Sequence, residues 1–257
     1  MSYGNAPAVS RPTEGRRDLL SAIAQGPVRG TFQVIPSEVV TEVLGYAGAD
    51  FVVVDGEHGT FGIESLQRMV RAAEAGGLSA LYRAASADDD LSKALDTGIA
   101  GLVVPRVESA AEAQAVVQAV RFAPVGARGV GPGRASRHGL NMMELSREAN
   151  AQVLLALMVE TRKGLDNLAS IVAVPGVDVI MVGPADLAVS MGVEPGSDAH
   201  VAAIRSIKDA ALAAGKHAGV HCADAANAAQ RIAEGFRFLP IGLDSSMLFG
   251  SAIGLFG

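Results

Sequence analysis

The chain has 257 residues, of which 49% are apolar and 19% are charged. This length fits one (β/α)8 barrel or two small domains, and the apolar content excludes an intrinsically disordered chain. A net charge of −6 and the absence of tryptophan argue against nucleic acid or an anionic membrane as partner. The apolar runs also fall well short of the roughly 18 residues that a membrane span requires.

Residues 1–16 combine Pro, Gly, Ser and charge without hydrophobic periodicity, which predicts a flexible N-terminal extension before a single domain at 17–257. The segment lacks the apolar core of a secretory signal. The only cysteine, Cys222, cannot form an internal disulfide. We therefore expect a cytoplasmic protein.

From Arg17 onward, short β-branched runs alternate with longer amphipathic stretches that end in glycine. The predicted strand segments are, in chain order, GTFQVI, DFVVVDGEH, SALYRAA, GLVVPRV, QVLLALMVE, VDVIMVGPAD, HAGVHC and FRFLPIGLD. The predicted helical segments between them are SEVVTEVLGYAG, IESLQRMVRAAEAGG, DDLSKALDTG, SAAEAQAVVQAVRFA, KGLDNLASIVAV, HVAAIRSIKDAALAAG and AANAAQRIAEG. About eight strands, each but the last followed by a helix, is the pattern of a closed parallel barrel.

The competing fold is an open, doubly wound parallel sheet. Continuous apolar runs such as VVV and VIMV suit both folds, because both bury their strands on two faces. A dinucleotide-binding sheet, however, needs a G-x-G-x-x-G turn after its first strand, and GTFQVIPSE contains none. The sequence therefore favours the α/β class with a (β/α)8, or TIM, barrel.

Residues 125–150 form a stretch that is too long and too rich in glycine for an ordinary turn, and we expect a functional βα-loop region there. Its arginines Arg128, Arg134 and Arg137 suit an anionic substrate end or a neighbouring subunit's site. The alternative is a flexible crossover between the fourth helix and the fifth strand.

Polar residues that directly follow the apolar runs are the candidate site residues, because barrel enzymes build their active sites at the C-terminal ends of the strands. These residues are Asp55, Glu57, His58, Arg83, Arg106, Glu108, Glu160, Asp186, His221, Cys222 and Asp244. None of the four lysines lies inside a predicted strand, so no amine is placed to form a Schiff base. Carbanion chemistry at this rim would need a metal ion.

Glu160 and Asp186 follow consecutive predicted strands, which puts both carboxylates on one rim. Such a pair suits Mg²⁺, Mn²⁺ or another divalent ion that keeps positions for water and substrate oxygens. The alternative is a pair of helix-capping acids, since Asp186 lies at the start of a helix. His58 in DGEHG is either an acid/base group or a solvated loop histidine.

Taken together, DGEHG, ALDTG, VPRVESAAEA, RGVG, VET and GPADL, with Arg83 at a strand end, resemble the HpcH/HpaI aldolase family of metal-dependent pyruvate aldolases. The resemblance extends from Gly30 to Asp244. It implies a TIM barrel whose C-terminal helix is exchanged between subunits of a homohexamer, a trimer of dimers. The implied activity is reversible aldol cleavage of a 4-hydroxy-2-oxo acid to pyruvate, or an analogue, and an aldehyde through a metal-stabilised enolate.

The resemblance also implies roles for individual residues. Glu160 and Asp186 correspond to the ligands of a divalent ion, Mg²⁺, Mn²⁺ or Co²⁺. His58 corresponds to the acid/base histidine, Asp96 to the carboxylate that orients it, and Arg83 to the arginine that binds substrate and holds the enolate oxygen. The backbone groups expected near the pyruvate carboxylate belong to Gly183, Pro184 and Ala185.

The chain departs from the family pattern at three places. Met158 stands where many members have glutamine, so a polar contact near the metal is lost. The segment Thr31-Phe32-Gln33 stands where tryptophan is usual, and GVHC at 219–222 is more polar than the usual end of the seventh strand. These differences bear on the identity of the substrate more than on the mechanism.

Three alternative functions remain open at this point. A CoA-ester carbon–carbon lyase of the citramalyl-CoA or malyl-CoA type shares the barrel and the two acids, with the Arg128–Arg137 loop as its phosphate-binding element. A macrophomate-synthase-like enzyme would form the enolate by decarboxylating oxaloacetate. A non-catalytic barrel would keep the motifs as a binding protein. The apolar C-terminus, SSMLFGSAIGLFG, is expected to dock on a partner subunit or on its own barrel.

Overall fold

In the computed structural model, which describes residues 18–87 and 89–257, eight parallel strands close into a barrel in the order β1 to β8. The strands are β1 (Val28–Gln33), β2 (Phe51–Asp55), β3 (Ser79–Arg83), β4 (Gly101–Val104), β5 (Leu154–Met158), β6 (Val179–Val182), β7 (His217–Val220) and β8 (Phe238–Leu243). The expected barrel is thereby confirmed. The extension expected at 1–16 lies outside the described residues.

Helices follow every strand, and one precedes the first. They are α1 (Leu19–Gln25), α2 (Glu38–Tyr46), α3 (Ile63–Gly76), α4 (Leu91–Asp96), α5 (Ala110–Val120), α6 (Met142–Glu148), α7 (Arg162–Asp166), α8 (Leu168–Val172), α9 (Pro184–Met191), α10 (Asp198–Ala213), α11 (Ala225–Ala233) and α12 (Asp244–Phe256). Among the described residues, none of these helices has the length and hydropathy of a membrane span.

The barrel has an inner and an outer hydrophobic core. Inside it, the rings of Phe51 and Phe238 stack with centroids 4.6 Å apart, and Leu19 and Ile23 of α1 join the same cluster. The outer core lies between the strands and the surrounding helices. Gly30 lets β1 approach β2, because a Cβ at this position would lie 2.2 Å from the carbonyl oxygen of Phe51. Strands buried on both faces explain the continuous apolar runs in the sequence.

The segment 125–150 corrects one expectation. It connects the end of α5 to the start of β5 and contains α6 and two 3-10 turns, Arg134–Gly139 and Ala149–Ala151. An αβ connection lies at the N-terminal end of the barrel, opposite to the rim that carries βα loops. The prediction of a βα-loop region is therefore wrong, and the crossover interpretation is correct.

Asp244 is a buried residue that connects the loop after β1 to the start of α12. Its carboxylate accepts hydrogen bonds from the backbone N–H groups of Val34 (3.0 Å), Ile35 (2.9 Å) and Ser245 (2.8 Å). The loop after β1 is thus tied to the start of α12. Asp244 therefore supports the loop after β1 at the rim. It does not line the central cavity, unlike the strand-end side chains that do.

The apolar side chains of α12 are exposed in a single chain. Phe249 is 67% exposed and Phe256 is 88% exposed, and Leu248, Ile253 and Leu255 are exposed as well. These side chains do not dock on their own barrel. Of the two expectations for the C-terminus, only a partner subunit could bury this face.

Candidate active site

A cavity of about 460 Å³ opens at the C-terminal rim of the barrel. Its walls consist of Phe32, Val34, Asp55, His58, Arg83, Met158, Gly183, Pro184, Ala185, Asp186, His221, Ala223, Gly242, Leu243 and Ser246. Five of the eleven strand-end candidates therefore line one cavity: Asp55, His58, Arg83, Asp186 and His221. A larger cavity, about 670 Å³, lies beside the crossover segment, but none of the strand-end candidates lines it.

Glu160 is a deeply buried acid at this rim, with only 2% of its surface exposed. Its Oε1 accepts a hydrogen bond from the backbone N–H of Arg106 at 2.9 Å. Its Oε2 is buried without a hydrogen-bond partner among the described residues. Burial, and next the negative charge of Asp186, raise the pKa of Glu160 to about 7. Burying a carboxylate oxygen without a partner costs folding free energy, so such an oxygen is suited to bind a ligand.

Arg106 supports Glu160 with its backbone and not with its side chain. Its φ angle is 54°, in the left-handed region that non-glycine residues rarely adopt. Such a conformation costs on the order of 1 kcal/mol and is found mostly at functional sites. Here it accompanies the N–H that donates to Glu160. The sequence pointed to this residue only as a polar side chain.

Gly183 leaves room for the Glu160 carboxylate beside the start of α9. A Cβ at this position would lie 2.1 Å from Oε2 of Glu160, so any other residue would displace that carboxylate. Gly183 is also the N-cap of α9, and Asp186 lies in the first turn of this helix. No side-chain hydrogen bond caps α9 in the described part of the chain, which argues against the helix-capping alternative.

The residues present fit a divalent ion. Glu160 offers an unpartnered oxygen, and Asp186, which is exposed, offers a second carboxylate in the first turn of α9, the helix that follows β6. Among residues 18–87 and 89–257 no group of three or more His, Cys, Asp or Glu side chains is placed to hold a metal. An ion bound here would therefore keep several positions for water and substrate oxygens, as Mg²⁺ commonly does.

Arg83 is held rigidly beside the cavity. Its Nε and Nη2 donate to Asp55 at 2.8 and 2.6 Å, and its Nη1 lies 3.0 Å from Oε2 of Glu57. The guanidinium carbon lies 4.7 Å from the centre of the Phe32 ring. Burial opposes the charge, but the hydrogen bond that Arg83 donates to Asp55 and the charges of Asp55 and Glu57 raise the pKa of Arg83. The cation is thus fixed in place and in charge.

Asp55 is a functional residue whose place at a strand end could be predicted from the sequence, but whose role could not. Besides binding Arg83, its Oδ1 accepts hydrogen bonds from the backbone N–H groups of Glu57 (3.1 Å) and His58 (3.3 Å). It therefore fixes both the arginine and the loop that carries the histidine. The sequence feature that points to Asp55 is its position as the last residue of β2.

His58 lies at the mouth of the cavity with 65% of its side chain exposed. Its Nε2 is 3.9 Å from Oε2 of Glu57. The expected pairing with Asp96 is not formed, because Asp96 ends α4 and a helix after a strand leads away from the rim. Asp96 instead accepts a hydrogen bond from Arg128 at 2.9 Å. This corrects, for a single chain, the expectation that Asp96 orients His58.

All three departures from the family pattern reach the cavity wall, the first segment through the ring of Phe32. Met158 presents an apolar side chain there, and His221 presents an imidazole at the end of β7. The next residue, Cys222, is buried outside the wall, and burial raises the pKa of its thiol to about 11. It is therefore an unreactive thiol at neutral pH.

The model of the HpcH/HpaI aldolase/citrate lyase family matches residues 30–250. The chain belongs to this family. It is 36% identical over 231 residues to a protein named 4-hydroxy-2-oxovalerate aldolase from Novosphingobium aromaticivorans, covering 88% of this chain and 87% of the relative. It is 34% identical over 224 residues to a hydroxypyruvate/pyruvate aldolase from Rhizorhabdus wittichii, covering 85% and 88%.

A solved structure of the family is also similar to this chain. A family protein from Burkholderia cenocepacia J2315 superposes with a TM-score of 0.86 at 30% identity, covering 92% of this chain and 96% of that one. Family membership confirms the resemblance drawn from the motifs. It also confirms the expected class of activity, a carbon–carbon lyase of the aldolase type.

Glu160→Gln should stabilise the metal-free protein above neutral pH. The pKa of this carboxyl rises from 4.5 to about 7 on folding. The unfolded chain therefore loses the proton first, and ionisation destabilises the fold as pH rises between these values. The variant should gain up to about 3 kcal/mol over the parent at pH 8 and much less at pH 5. Urea denaturation in EDTA at both pH values measures the difference.

Glu64→Gln is the matched control, because Glu64 is a solvent-exposed glutamate in the first turn of α3. Its effect should be within about 0.5 kcal/mol at both pH values. An equal change for Glu160→Gln at pH 5 and pH 8, or a loss of stability at pH 8, would contradict the account of this carboxylate.

Proposed function

We propose that the protein catalyses reversible aldol cleavage of a 4-hydroxy-2-oxo acid to pyruvate, or a close analogue, and an aldehyde. The observation that carries the proposal is the unpartnered buried oxygen of Glu160, which lies directly behind Gly183. Gly183 belongs to the wall of a cavity that also contains Asp186 and the fixed arginine Arg83. Stabilising an enolate requires positive charge at one oxygen, and this site concentrates groups that hold or supply it.

Glu160 and Asp186 are the proposed ligands of Mg²⁺, Mn²⁺ or Co²⁺. A bound divalent ion supplies Lewis acidity toward the carbonyl oxygen of a 2-oxo acid. Gly183 keeps the Glu160 carboxylate at the position that such an ion requires, since any side chain there would displace it.

Arg83 is the proposed group that stabilises negative charge developing on the 2-oxo oxygen. Asp55 and Glu57 orient its guanidinium, and each terminal nitrogen carries a second N–H that can donate to substrate. Because this donor is held before the reaction begins, no reorganisation is needed when charge develops.

The start of α9 is the proposed site for the substrate carboxylate. Pro184 has no N–H, and the N–H groups of Ala185 and Asp186 lie in the first turn, where a helix offers no internal acceptor. The partial positive charge of a helix N-terminus favours an anion there. With Gly183, these residues frame one end of the cavity.

His58 is the proposed acid/base group for the 4-hydroxyl. It takes the hydroxyl proton in cleavage and returns it in synthesis, from the cavity mouth where it is accessible to both substrate and water. Asp96 can orient this histidine only if a second copy of the chain brings it to the cavity.

We also propose a homohexamer in which α12 is exchanged between subunits. The exposed apolar face of α12 supports this arrangement, because large apolar side chains in contact with water favour association. We place the enzyme in the cytoplasm, in keeping with its single free cysteine.

The CoA-ester lyase is the weaker alternative. It relied on the arginines of the crossover segment, but Arg128 is paired with Asp96 and Arg134 with Glu74, at the end of the barrel opposite to the cavity. A non-catalytic binding barrel would have little use for a costly unpartnered carboxylate.

A coupled assay of pyruvate release tests the function. The protein should cleave at least one member of a series of 4-hydroxy-2-oxo acids in the presence of Mn²⁺ or Mg²⁺, with NADH oxidation by lactate dehydrogenase as readout. EDTA should abolish the activity, and added Mn²⁺ should restore it. Full activity in EDTA, or no cleavage of any member with metal present, would contradict the proposal.

Two substitutions separate enolate stabilisation from proton transfer. Arg83→Ala should slow both oxaloacetate decarboxylation and aldol cleavage, by about two to four powers of ten. His58→Ala should slow aldol cleavage far more than decarboxylation, because decarboxylation forms the enolate without removing a hydroxyl proton. Equal losses in both reactions for His58→Ala, with unchanged metal content and circular dichroism, would exclude this histidine as the hydroxyl base.

A further inference from the structure

His221 is a cavity residue to which the proposed mechanism gives no part. It directly follows β7, and its backbone N–H donates to the carbonyl of Val182 at 3.3 Å, so it lies beside the start of α9. Its ring contacts Phe32, with centroids 5.7 Å apart and a tilt of 57°. Arg83 stacks on the same phenyl ring. The imidazole is therefore part of the same wall as the proposed enolate-binding arginine.

The hydrogen bonding of His221 defines which ring nitrogen carries the proton and which can accept a hydrogen bond. Nε2 lies 3.3 Å from the carbonyl oxygen of Gly242. Because a carbonyl oxygen only accepts, Nε2 carries the proton, and Nδ1 of the neutral ring has a lone pair. No hydrogen bond to Nδ1 is formed within the described part of the chain. Burial, and the nearby charge of Arg83, lower the pKa of His221, which keeps the ring neutral at neutral pH.

The surroundings make this acceptor distinctive. Neighbouring parts of the wall are the apolar side chains of Phe32, Val34, Ala223 and Leu243. The two carboxylates in the wall have other roles, because Asp55 binds Arg83 and Asp186 is a proposed metal ligand. A half-buried acceptor in an apolar wall favours a ligand that brings a donor, and it disfavours one that leaves it unpaired.

We propose that His221 makes the enzyme selective for substrates that carry a hydroxyl next to the reacting carbonyl, whose O–H donates a hydrogen bond to Nδ1. This inference rests on the proposed aldol function and narrows its substrate class. The hydroxyl can belong to the 2-oxo acid, as in hydroxypyruvate compared with pyruvate. It can equally belong to the aldehyde, as in glycolaldehyde compared with acetaldehyde.

The test measures two selectivity ratios with the metal-loaded enzyme in the direction of synthesis. The first is kcat/KM for hydroxypyruvate over pyruvate with a common aldehyde, and the second is kcat/KM for glycolaldehyde over acetaldehyde with pyruvate. His221→Leu should lower one of these ratios by about 10- to 100-fold, because it removes the acceptor but keeps an apolar side chain of similar size. The ratio that falls identifies which substrate carries the recognised hydroxyl.

Two further variants make the result specific. His221→Gln retains a side-chain acceptor and should keep the ratio within about threefold of the parent. Cys222→Ser changes the adjacent residue, which is buried outside the cavity wall, and should leave both ratios unchanged. Ratios within twofold of the parent for His221→Leu in both pairs, or an equal fall for Cys222→Ser, would overturn the inference.

A binding measurement separates this inference from the aldol function itself. Calorimetric titration of the metal-loaded protein with hydroxypyruvate and with pyruvate gives an affinity ratio without turnover, and titration with each aldehyde in the presence of pyruvate gives the second. If no carbon–carbon bond is made or cleaved but His221→Leu lowers an affinity ratio, the aldol proposal fails and this inference stands. An active enzyme whose ratios ignore His221 overturns this inference alone.

Discussion

The burial of the Glu160 carboxylate is the constraint on which the arrangement of the rim depends. One of its oxygens accepts a hydrogen bond from the backbone N–H of Arg106. The other has no hydrogen-bond partner in the described part of the chain. A charge in this position would be strongly disfavoured without a compensating cation. The glycine at 183, which alone leaves room for Oε2, and the left-handed conformation at Arg106 serve the same carboxylate. Local structure on three separate loops is thus organised around one unsatisfied oxygen.

The second organising feature is that the arginine and the two acids of the site have different electrostatic roles. Arg83 is matched by Asp55 and Glu57, so its cation is oriented without being free to move. For Glu160, burial and then the like charge of Asp186 raise the pKa, and both effects favour a bound cation. A rigid cation at the end of β3 and a pair of acids after β5 and β6 that favours a second cation together suit a substrate oxygen that becomes negative during the reaction. The opposite end of the barrel carries its own ion pairs, which serve the crossover segment and take no part in this site.

The strand-end rule explains how much of the site could be predicted from the sequence. His58, Arg83, Glu160, Asp186 and His221 each lie within four residues after an apolar run, and the parallel barrel brings such positions to one rim. Asp96 ends a helix and the segment 125–150 follows one, so the same rule places them at the other end of the barrel. The motif resemblance alone did not indicate at which end they lie. The unpartnered oxygen of Glu160 could not be predicted, because it depends on a backbone dihedral at Arg106 and on the close approach of Gly183. The role of Asp55 likewise appears only when β2 and β3 are paired, with Asp55 opposite Arg83.

The apolar face of α12 and the exposed position of His58 both point beyond the single chain. A histidine at a solvent-exposed mouth is poorly oriented by its own subunit, and a helix with several exposed aromatic and aliphatic side chains is poorly stabilised by it. Association that covers α12 would change the environment of neighbouring rim loops at the same time, because Asp244, the first residue of α12, holds the loop after β1. An assembly that buries α12 would therefore be coupled to the geometry of the cavity through the Asp244 carboxylate.

The central claim is that Glu160 and Asp186 jointly hold one divalent ion per chain at the substrate cavity. Titration of the metal-free protein with Mn²⁺, followed by electron paramagnetic resonance of the free ion, tests it most directly. The account predicts one saturable site per chain, an affinity more than about tenfold lower in Glu160→Gln and in Asp186→Asn, and a change in the bound-ion spectrum when pyruvate is added. Absence of a saturable site, or equal affinity in the parent and both variants, would contradict it.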